Sequence, residues 1–144
     1  MQPESVAWQE ASEVTKDVLY LGGFAVWYAD VERATRYPSR AESDVEHSYM
    51  LTLVALHLAD SFYPHLDQAK IAQFCMIHDA PEAIVGDTPT FNISPEARVA
   101  KEAAESKAVT QLLAELPPYW ARLLERYEEQ VEPEARFVRL VDKV

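Results

Sequence analysis

Glycine is what this chain most does without: three residues among 144, against nine prolines. Tight β-hairpin turns call on glycine for positive φ, so the scarcity nearly excludes an all-β fold. Proline has the opposite bearing, since it sits easily in the first turn of a helix and stops any helix from running through it. Between the prolines lie long stretches rich in Ala, Leu, Glu and Val, which favour helix. The expected class is all-α, a bundle of five or six helices. With 49% apolar residues the chain can bury one core. No repeat, low-complexity tract or Gly/Ser linker divides it, so residues 1–144 read as a single domain.

The same punctuation places the helices. A first is expected from Ser5 to Leu21, stopped by Gly22 and Gly23, with an irregular connection from Phe24 to Arg40. Ser43 followed by Glu46 has the spacing of a capping box and opens a long helix from Asp44 to Phe62. Asp67 can cap another, running through Ile77 to near Gly86, before Thr88 and Pro89 begin a loop. Ser94 before Pro95 opens a third long helix to Leu116, where Pro117 and Pro118 break it. A short helix through Trp120 and Tyr127 follows, and Pro133 suits the first position of a last one.

Thirteen basic residues stand against 24 acidic ones, a formal charge of −11. That balance argues against a broad grip on nucleic acid or anionic lipid, so an anionic ligand must meet a local exception. Cys75 is the only cysteine, which rules out an intrachain disulfide, a cysteine-based zinc site or an iron–sulfur cluster and makes a reducing cytoplasm the expected setting. Met1 to Glu10 is polar and acidic, unlike a signal peptide, and the longest apolar run, Leu51 to Ala59, is interrupted by Thr52 and His57. Neither a leader nor a membrane span is expected.

A helix turns about 100° per residue, so positions three, four or seven apart share a face. After Ser43, the residues Leu51, Val54 and Leu58 form an apolar line whose backward extension lands on His47. On the next helix Ile71 and Cys75 lead to His78 and then Glu82, and on the last Phe137, Val141 and Val144 share a face with Asp142 at its border. Singly, each polar residue is most simply a hydrogen-bonded core group or a solvated one. Together they point to more: burying an unpaired carboxylate costs on the order of several kcal/mol, and helices that each bring a nitrogen or oxygen inward recover that cost by meeting at a cation. His78 and the adjacent Asp79 can both reach one ion from their helix edge. Two imidazoles and two carboxylates suit Mn, Co, Fe, Ni or Zn with open positions for water, and match a closed structural zinc site poorly. Glu82, one turn beyond His78, lies where a general acid or base can touch such a water.

His47, His78 with Asp79, and Asp142 follow in the order H…HD…D, and in this the chain resembles the HD-domain metal-dependent phosphohydrolases. More narrowly, ESDVEHS at 42–48 and HDAPEAIVGDTPT at 78–90 resemble the subgroup containing bacterial 5′-deoxynucleotidases and related nucleotide phosphohydrolases, a likeness spanning about residues 33–142. It implies a helical bundle with one divalent metal at its centre, Glu82 and Asp87 at the substrate, and an upstream Arg on the phosphate. That subgroup carries an Arg followed by an aromatic residue. This chain instead offers Arg33, Arg36 and Arg40, three of its 13 basic residues within eight positions, with Arg36 preferred and Arg33 next. The plainer alternatives are a solvated basic face for the arginines and a capping role for Asp87 after Gly86. Relatives with several metals bring further histidines between the HD pair and the last Asp. Residues 80–141 contain none, so a single ion is expected. His57, about 80° off the His47 line, and His65 in YPHL are expected to be structural or solvated. Trp27, Tyr28 and Tyr37 are expected in the core rather than on a base.

The activity implied is release of phosphate from a deoxyribonucleoside 5′-monophosphate. Hydrolysis of a nucleoside triphosphate or a phosphodiester is the alternative among enzymes, and a non-catalytic, metal-containing nucleotide-binding or scaffold domain is the alternative outside them. The expected partner is a small nucleotide, with no nucleic acid and no membrane, and the expected assembly is a homodimer. The chain stops two residues after Asp142, where relatives continue for another helix or more, so C-terminal helices are expected to be missing.

Overall fold

A computed structural model describes residues 6–87 and 92–144. Within them the order is α1 (Val6–Asp30), β1 (Glu32–Arg36), β2 (Ala41–Ser43), α2 (Asp44–Phe62), α3 (Gln68–Ile77), α4 (Glu82–Val85), α5 (Pro95–Glu115), α6 (Pro118–Glu129) and α7 (Pro133–Asp142). This is an all-α bundle carrying one short antiparallel hairpin, β1 against β2, in which Glu32 faces Ser43 and Arg36 faces Ala41 with an irregularity between them. Helix α3 lies at the middle, packed on α2, α6 and α7. Its Ile71, Phe74 and Cys75 are fully enclosed, together with Leu112, Leu124 and Val138 from the surrounding helices. No helix among the described residues is long and apolar enough to cross a membrane.

Where a side chain can satisfy the free N–H groups of a first turn, the helices begin where the sequence places them. Ser43 and Glu46 form both bonds of the capping box, Asp67 accepts from the amides of Ala69 and Lys70, and Ser94 accepts from Ala97. The stops at Leu116 and the start at Pro133 also agree. The start expected at Ser5 and the loop expected at Thr88 and Pro89 lie outside the described residues.

Four expectations are corrected. Helix α1 does not stop at Gly22 and Gly23 but runs through both to Asp30. Its last turns bury Tyr28, stack Phe24 on Tyr28 with ring centroids 5.9 Å apart, and tie the Tyr28 hydroxyl to that of Ser48 at 2.7 Å. Burying one such ring stabilises by about 1.5–3 kcal/mol, more than the roughly 0.5–1 kcal/mol each helical glycine costs. The stretch from Phe24 to Arg40 is therefore helix and then hairpin, not an irregular connection. The helix from Asp67 does not reach Gly86 either. It ends at Ile77 and resumes for a single turn at Glu82, because Pro81 has no amide to donate and its ring would meet the Ile77 carbonyl. Finally, the buried line of α2 is Asp44, Ser48, Leu51, Ala55 and Ala59, while Val54 of the expected line is exposed. The two alanines let α3 approach closely.

Candidate metal centre

Four side chains meet where three parts of the chain converge. His47 comes from the first turn of α2, His78 and Asp79 from the turn that Pro81 forces between α3 and α4, and Asp142 from the last position of α7. His47 Nε2 lies 2.8 Å from Asp142 Oδ1 and 3.9 Å from Asp79 Oδ2. His78 Nε2 lies 2.9 Å from Asp79 Oδ2 and 3.6 Å from Asp142 Oδ1. One ligand atom from each of the four falls within 4.8 Å of all the others.

The chemistry of this quartet fits a divalent transition ion. His78 Nδ1 donates to the Cys75 carbonyl at 2.8 Å, which directs Nε2 towards the carboxylates. That Nε2 is buried and has no hydrogen-bond partner among the described residues. A neutral imidazole would aim a lone pair at two negative oxygens, so the site calls for a positive charge between them. With only protons to supply it, burial opposes a charged ring but the Asp142 and Asp79 carboxylates outweigh burial and hold the His78 imidazole up at about 10. At Asp142 the hydrogen bonds of His47 and then His78, and at Asp79 that of His78, overcome burial and keep both carboxyls below the ordinary range.

A second set of charges backs onto the first. Arg33 Nη1, from β1, lies 2.9 Å from Asp44 Oδ1, 3.0 Å from Asp79 Oδ2 and 4.0 Å from Glu82 Oε2. Its Nε is 3.6 Å from Glu42 Oε2. Asp44 is completely buried and Glu42 nearly so. Burial, then the negative charges of Asp79 and Asp44, push the Glu82 carboxyl up to about 9. Asp87 stands just past α4, where its Oδ2 accepts from the Ala34 amide at 3.0 Å and ties the strand carrying Arg33 to the turn carrying Glu82.

Of the residues singled out in the sequence, the structure thus brings together His47, His78, Asp79 and Asp142, with Glu82 and Arg33 against Asp79 and Asp87 one strand away. It does not bring Arg36, which is exposed on β1, and Arg40 turns outward to pair with Glu46. His57 and His65 are exposed. Tyr28 is core, whereas Trp27 is half exposed. Sequence reasoning missed Asp44 and Glu42. Asp44 stands three residues before His47, on the same helical face, and that spacing was the available signal. A cavity of about 540 Å³ opens beside the centre, bordered by His78, Asp79, Glu82, Asp142, Tyr127 and Arg139.

The sequence profile of the HD domain family matches residues 30–144. The chain is 34% identical to the 5′-deoxynucleotidase HDDC2 of Homo sapiens over 110 residues, 75% of this chain and 52% of that protein. It is 32% identical to a 5′-deoxynucleotidase of Cronobacter sakazakii over 113 residues, 72% of this chain and 56% of that one. The chain thus spans about half the length of the curated relatives it matches. Among solved structures it superposes on a "predicted metal-dependent phosphohydrolase" from Magnetospirillum magnetotacticum MS-1 with a TM-score of 0.68 and 28% identity, covering 89% of this chain and 69% of that one. A conserved hypothetical protein from Pyrococcus furiosus gives 0.66 and 29%, covering 87% and 75%.

Proposed function

The chain belongs to the HD domain family, and on that premise we propose that it is a metal-dependent phosphohydrolase of nucleotides that removes the 5′ phosphate from deoxyribonucleoside monophosphates. The observation that carries this is the convergence of two imidazole nitrogens and two carboxylate oxygens within 4.8 Å, one of those nitrogens buried and unsatisfied. The relatives named 5′-deoxynucleotidase favour the monophosphate among nucleotide substrates.

His47, His78, Asp79 and Asp142 would hold one divalent transition ion. Bound there, such an ion supplies Lewis acidity towards a phosphoryl oxygen and lowers the pKa of water. The chain's own groups do the rest. Hydrolysis forms a bond from a water oxygen to phosphorus and breaks the bond from phosphorus to O5′, so the departing O5′ needs a proton. Glu82, with its carboxyl held up at about 9, carries one and can recover another from the attacking water. Arg33 sits nearer the centre than any other arginine of the upstream cluster and balances charge on the equatorial phosphoryl oxygens, the role the sequence offered first to Arg36. Asp87 holds the Arg33 strand in register with Glu82 and stands at the edge of the substrate site. The adjoining cavity receives the nucleoside. A cytoplasmic homodimer completes the proposal, supported by the apolar Met50, Leu53 and Phe62 that α2 leaves exposed.

The test is product analysis. Dialysed protein is loaded with Mn, Co, Mg or Zn and offered ribo- and deoxynucleoside mono- and triphosphates. Nucleoside plus inorganic phosphate from the deoxy monophosphates is the expected result. Nucleoside plus triphosphate would favour triphosphate hydrolysis, and a filled site with no turnover would favour a binding or scaffold domain.

A further inference from the structure

The cavity beside the centre carries a cation that no carboxylate claims. Arg33, Arg40 and Arg126 each pair with acidic side chains. Arg139, on α7 one turn before Asp142, has no carboxylate oxygen within 4.0 Å among the described residues. It lays its guanidinium over the ring of Tyr127 instead, with Cζ 5.7 Å from the ring centroid. Tyr127 is a firm support. It is 4% exposed, and its ring meets that of Phe74 at 5.9 Å and that of His78, edge to face, at 6.3 Å. Arginine stacks on aromatic rings through its plane, which leaves the opposite face of the guanidinium open. Arg139 is exposed and borders the cavity.

We propose that Arg139 stacks on the nucleobase of the substrate, as a platform that Tyr127 holds one ring away from His78. The inference rests on the nucleotide reading above and adds to it the group that receives the base. Charge and shape both decide for a base over a further phosphate. Beyond the centre the border of the cavity carries Glu102, Glu105 and Glu128 against Arg139 and Lys143. That negative balance disfavours another phosphate, whereas a neutral base tolerates it and can donate from an exocyclic amine to a carboxylate. A guanidinium already seated on one ring is also shaped to receive a second, since bases stack on arginine planes as they do on aromatic side chains. Position agrees with this chemistry. With the phosphate at the metal, the sugar sets the base farther out, and Arg139 borders the cavity without being one of the four clustered side chains.

The test compares deoxyadenosine 5′-monophosphate with 1′,2′-dideoxyribose 5′-phosphate, the same molecule with hydrogen in place of its base, as substrates of the Mn-loaded protein. Its readout is the ratio of their kcat/KM values, which cancels any change common to both. Wild type should favour the nucleotide, and Arg139→Ala should lower the ratio about tenfold, within the range that losing one stacking partner produces. Arg139→Lys keeps the charge and gives up the plane, so its ratio should fall likewise. A wild type without preference overturns the inference, as does an Arg139→Ala that weakens both substrates equally or neither, or an Arg139→Lys with the wild-type ratio. Should Arg139→Ala fail to fold by circular dichroism, Arg139→Met keeps the stem over Tyr127 and takes its place. If wild type hydrolyses neither compound, the reading of the site as a phosphohydrolase fails separately, and calorimetric titration with deoxyadenosine 5′-monophosphate decides. Affinity about tenfold weaker in Arg139→Met than in wild type supports the platform; equal affinity, or no binding to wild type, overturns it.

Discussion

Asp79 and Glu82 stand three residues apart on one turn, and their surroundings assign them opposite tasks. Asp79 is drawn between His78 and Arg33 and kept ionised. Glu82 is pressed by burial and by two neighbouring carboxylates into keeping its proton. Replacing Asp79 by Ala should therefore abolish tight metal binding, measured as metal per chain after dialysis. Glu82→Ala should keep the metal and lower turnover by about two to four orders of magnitude, the usual range for an acid–base group; unchanged kcat would remove Glu82 from the chemistry. Among the candidate ligands, His78 and Asp142 were legible in the sequence because each continues or borders an apolar helical line, Asp79 because it adjoins His78, and His47 from the H…HD…D order rather than from its expected line, since Val54 on that line is exposed. Asp44 was not, because it sits at the very start of α2, where an acidic residue is commonplace as a helix-dipole partner. Nor could helical spacing rank Arg33 above Arg36: both lie on β1, and only the hairpin decides which of them points inward.

At the scale of elements, packing overrides local propensity in α1 and α3. The glycine pair reads as a stop until the burial of Tyr28 is known, and that burial depends on Ser48, which lies in another helix. A β-carbon at Gly22 or Gly23 would meet nothing within 4 Å. The double change Gly22→Ala/Gly23→Ala should thus stabilise the protein by about 1–2 kcal/mol and raise Tm by several degrees in a thermal melt. Pro81, in contrast, was in plain view, and its effect on the helix after Asp67 follows from the missing amide alone. The turn between α6 and α7 offers a test against pH. Glu132 takes two bonds from Arg126, each 2.7 Å, and a third contact from Lys70 of α3 at 3.1 Å. The Arg126 bonds, opposed by burial and aided by Lys70, hold its carboxyl down at about 2. Because the folded value lies below the unfolded one near 4.5, the stabilisation is complete above about pH 4.5 and fades as pH falls through about 2. Solvent screening limits it to on the order of 1 kcal/mol or less. Glu132→Gln should lower Tm at pH 7 by a few degrees and flatten the loss of stability between pH 4.5 and 2; an unchanged acid limb would contradict this.

For the whole molecule, a chain of net charge −11 gathers seven ionisable acidic or imidazole groups around one point and relieves them with a single arginine. A divalent cation that binds only the folded state should stabilise it by about 2.7 kcal/mol at a hundred times its Kd. Adding Mn to dialysed protein should accordingly raise Tm, a chelator should reverse the rise, and Asp142→Ala should show neither effect. All of this depends on one ion being held among His47, His78, Asp79 and Asp142. Anomalous diffraction from crystals grown with Mn tests that most directly. A single strong peak bounded by the two Nε2 atoms and the two carboxylates is the predicted result, whereas an anomalous map with no peak there, or with the bound Mn elsewhere on the molecule, would contradict it.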